Sequence, residues 1–195
     1  MYVEVQRLSN ETDILPVTIS ERLIENFEIG QEIGIVGQFR SYNKLGEGKS
    51  KLMLTVFVKE IIDPSEISEI NQICLIGYIC KEPIYRTTPF GREICDVLLA
   101  VNRAYNKSDY LPCIAWGRNA RFVRDLGVGE KLEMQGRIQS RNYQKRLDNG
   151  SVENRVAYEI SVSSVMIARE PLYENKESVS SINDFVLNES VEGAV

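Results

Sequence analysis

Short runs in which apolar and polar residues alternate, separated by turn residues, cover most of the chain up to residue 168. This pattern predicts short β-strands joined by tight turns. Five strands are expected in the middle of the chain: Ile73–Gly77, Ile94–Val101, Leu111–Ala115, Lys131–Arg141 and Arg155–Ile167. Gly136 interrupts the fourth strand and permits a bulge or a tight bend. Asp148-Asn149-Gly150 is a strong hairpin signal between the last two strands.

One segment, Gly117–Leu126, has helical spacing instead. Ala120, Val123 and Leu126 fall near one face of the predicted helix, and most of its charged side chains lie on the other. Gly129 follows, as a C-terminal stop would. A single helix before the last two of five strands is typical of the OB barrel. The sequence therefore predicts an all-β fold, a five-stranded OB barrel with one short helix.

The first part of the chain repeats pieces of the middle. Asp13–Pro16 echoes Asp109–Pro112 at an offset of 96, and Gly37–Ser41 echoes Gly136–Ser140 at an offset of 99. Nearly constant offsets over several elements indicate an internal repeat. Leu52–Ile61 supplies a final apolar strand, but no room is left for the first hairpin. We therefore expect a truncated OB-like repeat in front of the barrel.

Four regions are predicted from these patterns: a truncated repeat (1–62), a linker (63–70), an OB domain (71–169) and an acidic tail (170–195). The tail is rich in Ser, Asn and Glu with little periodicity, which predicts disorder. One apolar cluster interrupts it. That cluster either packs on its own domain or forms a partner-binding peptide, with these contact residues: Ile182, Asp184, Phe185 and Leu187.

The net charge of −5 hides a strong asymmetry along the chain. Residues 1–69 carry seven basic and twelve acidic side chains, and residues 170–195 carry one and six. Residues 70–169 carry fifteen basic against ten acidic side chains. A basic middle between acidic ends is the electrostatic pattern of an anion-binding module with acidic extensions.

Several function classes are disfavoured by what the sequence lacks. There is no histidine, and none of the four cysteines, Cys74, Cys80, Cys95 and Cys113, forms a C-x-x-C pair. We therefore expect buried, reduced thiols within strands and no metal or other cofactor. No nucleophile–base pairing or phosphate loop is evident, so no enzyme activity is expected. Without a long apolar run or a secretory leader, the expected location is the cytoplasm, in association with the nucleoid.

The stretch Leu99–Trp116 combines two apolar strands with a polar loop in which aromatic residues stand beside cations. The residues concerned in and beside this stretch are Arg103, Tyr105, Lys107, Tyr110, Trp116 and Arg118. Aromatic faces stack on nucleic-acid bases and cations hold phosphates. This mixture of side chains suits the binding of a single-stranded nucleic acid.

The middle of the chain, about residues 71–168, resembles the bacterial single-stranded DNA-binding protein family. The order and spacing of several segments carry the resemblance: Asn71–Gly77, Leu99–Arg103, Asp109-Tyr110, Ala115–Arg118 and Gly136–Tyr143. The resemblance implies coating of single-stranded DNA with little sequence preference, in replication, recombination or repair. It also implies a homo-oligomer, either a dimer or a tetramer, and no membrane or small-molecule ligand.

The resemblance also implies which residues bind DNA. The family's four base-stacking positions fall on aromatic residues: Tyr105, Tyr110, Trp116 and Tyr143. Its cationic positions fall on Arg86, Arg118 and Arg141. Charge and placement in loops add four further candidates: Arg103, Lys107, Lys145 and Arg146. The alternative role for the aromatics is core packing, most credible for Trp116, which shares strand parity with Ile114.

The chain departs from the family in two places. Family members commonly end in an acidic peptide with a terminal Phe that recruits replication and repair enzymes, but here Asp184-Phe185 lies ten residues from the end. In the front repeat, the positions matched to Tyr110, Trp116 and Tyr143 are Ile14, Ser20 and Asn43.

A second DNA site is therefore not expected in the front repeat. A structural role there fits better, such as covering strand edges of the OB domain. Two alternatives to DNA coating stay open. One is an OB-fold protein-interaction module, such as a primosome or plasmid accessory, and the other is a binder of single-stranded RNA.

Overall fold

The computed structural model describes residues 1–24, 27–45, 50–147 and 150–168, and it contains two β-sheets. The first sheet has the order β1-β2-β4-β3, from these strands: β1 (Tyr2–Gln6), β2 (Thr12–Thr18), β3 (Gly34–Leu45) and β4 (Ser50–Ile62). A short helix, α1 (Glu21–Ile24), follows β2. The predicted tail and the turn residues Asp148 and Asn149 lie outside the described residues.

The second sheet forms a closed barrel. Its strands, in the order β5-β9-β10-β8-β7-β6, are β5 (Ile73–Ile79), β6 (Ile84–Thr87), β7 (Glu93–Arg103), β8 (Lys107–Trp116), β9 (Lys131–Arg146) and β10 (Val152–Ile167). β5 pairs with β9 along most of its length and with β7 at Tyr78 and Ile79, which closes a ring of five strands. Helix α2 (Gly117–Arg124) stands between β8 and β9. The predicted OB fold and the place of its helix are confirmed.

The core lies inside this barrel. Leu99, Leu132 and Ile160 from three different strands are completely buried. Ala120 and Val123 of α2 are equally buried and pack against the same cluster. Burial of each large apolar side chain contributes on the order of 1.5–3 kcal/mol. Within the described residues, no helix is long and apolar enough to cross a membrane.

A glycine stands at the same point of each repeat because two backbones approach closely there. A Cβ atom on Gly136 would lie 2.3 Å from the carbonyl oxygen of Ser161, and one on Gly37 would lie 2.5 Å from that of Phe57. The register shifts at both places, because the pairing skips Ser163 on β10 and Lys59 on β4. The bulge predicted at Gly136 is therefore accommodated by its partner strand, β10.

The two sheets share one topology. The order β1-β2-β4-β3 corresponds to β7-β8-β10-β9, and each set contains one parallel pair, β2 with β4 and β8 with β10. Among the described residues of the first repeat, no strand corresponds to β5 or β6. One predicted correspondence was wrong, because the constant offset along β3 and β9 matches Tyr143 with Lys44 and not with Asn43.

Buried polar contacts join the two sheets. Asp13 on β2 is completely buried and accepts hydrogen bonds from the Ser140 backbone amide at 2.6 Å and from Arg7 Nε at 2.7 Å. Arg137 Nη1 donates to the same carboxylate at 3.0 Å. In return, the Ile14 amide donates to Ser140 Oγ at 3.0 Å. These bonds hold β2 beside the edge of β9.

Asp109 on β8 makes the corresponding contacts from the second sheet to the first. It accepts a hydrogen bond from the Ser41 backbone amide at 2.7 Å, and Arg103 Nε lies 3.0 Å from its carboxylate. The Tyr110 amide donates to Ser41 Oγ at 2.7 Å. Each of these residues is the repeat counterpart of one in the first set. Such reciprocal contacts are typical of a two-fold interface between identical subunits, here contained within one chain.

The prediction that all four cysteines are buried within strands was wrong for Cys74 and for Cys80. Cys95 and Cys113 are buried, whereas Cys80 is half-buried and Cys74 is exposed. The alternation of β5 turns Leu75 into the barrel and therefore turns its neighbour Cys74 outward. Burial raises the pKa of the Cys113 thiol to about 12.

Candidate nucleic-acid interface

The predicted base-stacking residues of β8 lie on the outside of the barrel. Leu111 and Cys113 point into the core, so Tyr110 and Trp116 fall on the opposite side of the strand. We call this side, with the neighbouring positions of β6, β7, β9 and β10, the outer face. Tyr110 is 44% exposed, which leaves its ring free for contact.

Trp116 and Arg86 belong to one row of side chains across the outer face. Trp116 is the partner of Ile94 on β7, and Ile94 is the partner of Arg86 on β6. Cross-strand neighbours of this kind have Cβ atoms about 5 Å apart. Trp116 is half-buried, and its indole Nε1 donates to Ser161 Oγ at 3.2 Å. That bond fixes the orientation of the ring while part of it stays accessible.

Strand β9 brings Arg141 and Tyr143 to the outer face, two residues apart. Tyr143 is 36% exposed, and the Arg141 guanidinium carbon lies 5.9 Å from the centre of its ring. Arg141 Nε also lies 3.3 Å from Glu159 Oε1 on β10. This ion pair matches part of the Arg141 charge, but half of the side chain remains exposed. Tyr143 can therefore stack on a base while the exposed part of Arg141 contacts the neighbouring phosphate.

The turn between β7 and β8 presents the most exposed aromatic of the predicted set. Tyr105 is 92% exposed and has a left-handed φ of 62°, and the exposed Lys107 follows it. Arg103 differs from the expectation of an open cation, because its charge is matched by the buried carboxylate of Asp109 at the junction of the sheets. Arg103 thus lies among the contacts that join the two sheets.

The other predicted cations are exposed but scattered. Arg118 lies in the first turn of α2, two residues after Trp116, and Lys145 and Arg146 end strand β9. Arg86 forms an ion pair with Asp96 at 2.9 Å on the outer face. The predicted partner-binding residues of the tail lie outside the described part of the chain.

A groove of about 870 Å³ runs between the outer face and the edge of the first sheet. Trp116 and Arg141 line it together with three residues that sequence reasoning missed: Arg92, Arg137 and Tyr2. Arg137 could have been found from the alternation of polar residues along β9, which also contains Arg141. Tyr2 could not, because it comes from the other end of the chain. The barrel side of the groove is therefore basic, and each side contributes an aromatic ring.

Comparison with known proteins agrees with this geometry. Residues 70–168, half of the chain, match the model of the single-strand binding protein family. Single-stranded DNA-binding protein 1 of Staphylococcus aureus (strain COL) is 36% identical over 84 residues, which are 40% of this chain and 50% of the relative. Single-stranded DNA-binding protein 2 of Listeria monocytogenes (serovar 1/2a, strain EGD-e) is 32% identical over 120 residues, 58% of this chain and 72% of the relative.

Solved structures extend the likeness of fold beyond the barrel. The wild-type single-stranded DNA-binding protein from Thermus aquaticus aligns with a TM-score of 0.58 and 18% identity, covering 89% of this chain and 90% of that chain. At this identity, the alignment concerns the fold alone. The chain spans about half the length of several curated relatives that it matches. With its OB barrel and the match over residues 70–168, the chain belongs to the single-strand binding protein family.

Proposed function

We propose that this protein binds and coats single-stranded DNA with little sequence preference. The observation that carries the proposal is the shared placement of Tyr110, Trp116 and Tyr143 on one face of the barrel, with Arg86 and Arg141 beside them. Aromatic rings accept any base, because every base has a π-face. A surface of this composition can therefore bind a strand independently of its sequence.

Stacking and charge make separable contributions in this account. Each stacked base contributes on the order of 1–3 kcal/mol. Each phosphate that a cation neutralises releases counterions, so log K falls with log salt by about 0.7 per phosphate. Tyr105 extends the stacking surface at the β7–β8 turn, and Lys145 extends the basic one at the end of β9.

A double substitution distinguishes DNA coating from a protein-interaction role. Tyr105→Ala with Tyr143→Ala removes two exposed rings without opening the core. We expect binding of oligo-dT in a gel-shift titration to weaken by about thirtyfold or more, since each lost ring removes on the order of 1–3 kcal/mol. Phe122→Ala serves as the control, because Phe122 on α2 is an aromatic residue with an exposure similar to that of Tyr143. Unchanged DNA binding by the double variant would favour the protein-interaction module. Competition with oligo-U measures preference for DNA over RNA.

We also propose that the protein acts as a homo-oligomer in replication, recombination or repair, on single strands exposed in the nucleoid. An apolar strip on the outside of β5 supports self-association, since Ile76 is 54% exposed and Tyr78 is 37% exposed. Exposed apolar strips of this kind mark association surfaces. Sedimentation equilibrium of the wild type and of Ile76→Asp tests this, with a loss of mass per particle expected for the variant.

A further inference from the structure

The first sheet has aromatic and basic side chains on its own outer side. Along β3 the outward residues alternate with the buried Phe39 and Ser41, and the antiparallel register places residues of β4 beside them. We call the eight outward positions the front face: Gln38, Arg40, Tyr42, Lys44, Lys51, Met53, Thr55 and Phe57. Tyr42 is 52% exposed and Phe57 is 38% exposed. The front face is therefore more aromatic than the matched positions Ile14 and Ser20 led us to expect.

Arg40 and Phe57 form a preorganised pair on this face. The guanidinium carbon of Arg40 lies 4.2 Å from the centre of the Phe57 ring. Gln38 Oε1 accepts hydrogen bonds from Arg40 Nη2 at 2.7 Å and from Nε at 3.2 Å, which fixes the guanidinium plane. In the described part of the chain Arg40 has no carboxylate partner. A base can stack on such a plane while a phosphate contacts its edge.

Basic and acidic side chains occupy different parts of this side of the first sheet. None of the eight front-face positions is acidic, although residues 1–69 have an excess of acidic side chains. Two acidic residues lie on the same side of the sheet but outside these eight positions: Glu4 on β1, at the opposite edge from β3, and Glu60 on β4, the partner of Val36. Lys44 and Lys51 face each other near the end of the β3–β4 hairpin and are both exposed. The front face is thus locally basic within an acidic segment.

The strand that carries Arg40 and Tyr42 lies beside the second sheet. Ser41, between Arg40 and Tyr42, accepts a hydrogen bond from the backbone amide of Tyr110 at 2.7 Å. The two sheets also approach each other at the ends of the β3–β4 and β9–β10 hairpins. The pKa of Glu153 is lowered mainly by a hydrogen bond from Arg155, and the nearby charges of Lys51 and Lys145 contribute to the same shift. Lys51 of the first sheet and Lys145 of the second are therefore neighbours of one carboxylate.

We propose that the front face is a second surface for single-stranded nucleic acid beside the outer face, with β3 joined to β8 at Ser41 and Lys51 near Lys145 at the hairpin ends. Tyr42 stacks one base, the Arg40 plane backed by Phe57 stacks another, and Lys44 and Lys51 contact phosphates. This proposal rests on the proposed function, because a strand must first occupy the outer face. It gives the truncated repeat a role in lengthening the bound strand.

Two oligonucleotide lengths separate the surfaces in the full chain. Oligo-dT of about 8 nucleotides fits one OB fold, and oligo-dT of about 30 nucleotides exceeds it. The variant Arg40→Ala with Tyr42→Ala should bind the longer strand roughly tenfold or more weakly and occlude fewer nucleotides per chain. Binding of the shorter strand, followed by Trp116 fluorescence, should be unchanged. Arg22→Ala with Ile29→Ala changes one exposed cation and one exposed apolar residue outside the front face, as the matched control.

The results distinguish failure of the second surface from failure of the proposed function. Binding of the longer strand by the front-face variant with wild-type affinity and wild-type site size overturns the second surface alone. Absence of binding of either strand to the wild-type protein overturns the proposed function, and the second surface with it. The altered side chains are exposed or half-buried, and thermal melting of each variant verifies that the fold is intact.

Discussion

Arg141 lies beside an aromatic ring and a carboxylate, and these neighbours hold its guanidinium group on the outer face. Arg141→Gln removes the charge and keeps most of the side-chain volume. We expect weaker DNA binding and a log–log salt slope that is smaller by about 0.7, the value for one phosphate contact. Arg124→Gln on α2 removes an equally exposed cation away from the outer face and should leave the slope unchanged. An unaltered slope for Arg141→Gln would place the phosphates elsewhere.

The cysteines differ in reactivity because they differ in burial. Burial raises the pKa of Cys113 to about 12, so the thiolate that reacts with alkylating agents is scarce there at pH 8. Cys74 is exposed on β5. Brief treatment of the native protein with iodoacetamide should label Cys74 and spare Cys113, as read by peptide mass spectrometry. Labelling of both at the same rate would contradict the inward placement of Cys113.

At the scale of elements, alternation along the chain predicted the five strands of the barrel, and helical spacing predicted α2, but the short strand β6 was missed. The outward placement of Tyr110 and Tyr143 also follows from alternation. The ion pair of Arg103 with Asp109 could not be predicted, because nothing local distinguishes a paired arginine from a free one. The partnership of Arg40 with Phe57 was missed for a related reason, since it depends on the register of two strands.

The close approach of β9 and β10 makes Gly136 the most sensitive glycine of the barrel. In Gly136→Ala the new methyl group would meet the Ser161 carbonyl oxygen at 2.3 Å, so the strands must separate. We expect a loss of about 1–3 kcal/mol in the free energy of unfolding, as for other overpacked sites. Gly127→Ala is the control, since a Cβ there has no neighbour within 4 Å. Equal melting temperatures for the two variants would show that the bulge absorbs the methyl group.

At the scale of the whole molecule, the reciprocal contacts of Asp13 and Asp109 make the two repeats one unit. Sequence alone matched the repeats but not their packing, because the contacts of Asp13 with Arg137 and Ser140 span more than 120 residues. One chain therefore supplies both halves of this reciprocal interface. The truncated repeat covers the edge of β9 and forms one wall of the groove beside the outer face.

The buried ion pairs of Asp13 give this junction a measurable pH dependence. Burial opposes ionisation of Asp13, but hydrogen bonds from Arg7 and from the Ser140 amide outweigh it and lower the pKa of the carboxyl group. The stabilisation is therefore complete above the unfolded pKa of about 3.9 and is lost as the pH falls through the lower folded value.

Asp13→Asn tests this junction. We expect it to lower the free energy of unfolding by about 3 kcal/mol at pH 7, with a difference from the wild type that shrinks below pH 4. Urea titrations at a series of pH values measure this difference. Asp125→Asn, at an exposed ion pair on α2, should have little effect. Equal stability of Asp13→Asn and the wild type at pH 7 would show that the repeats do not depend on this contact.

The central claim is that the outer face binds single-stranded DNA by stacking and charge. Its most direct test is titration of the full chain with oligo-dT, following the fluorescence of Trp116, the only tryptophan, at low and moderate salt. The account predicts strong quenching and tight binding that weakens with salt by about 0.7 log units per phosphate for each tenfold rise in salt. Unchanged fluorescence together with the absence of a gel shift would contradict it and point to protein partners instead.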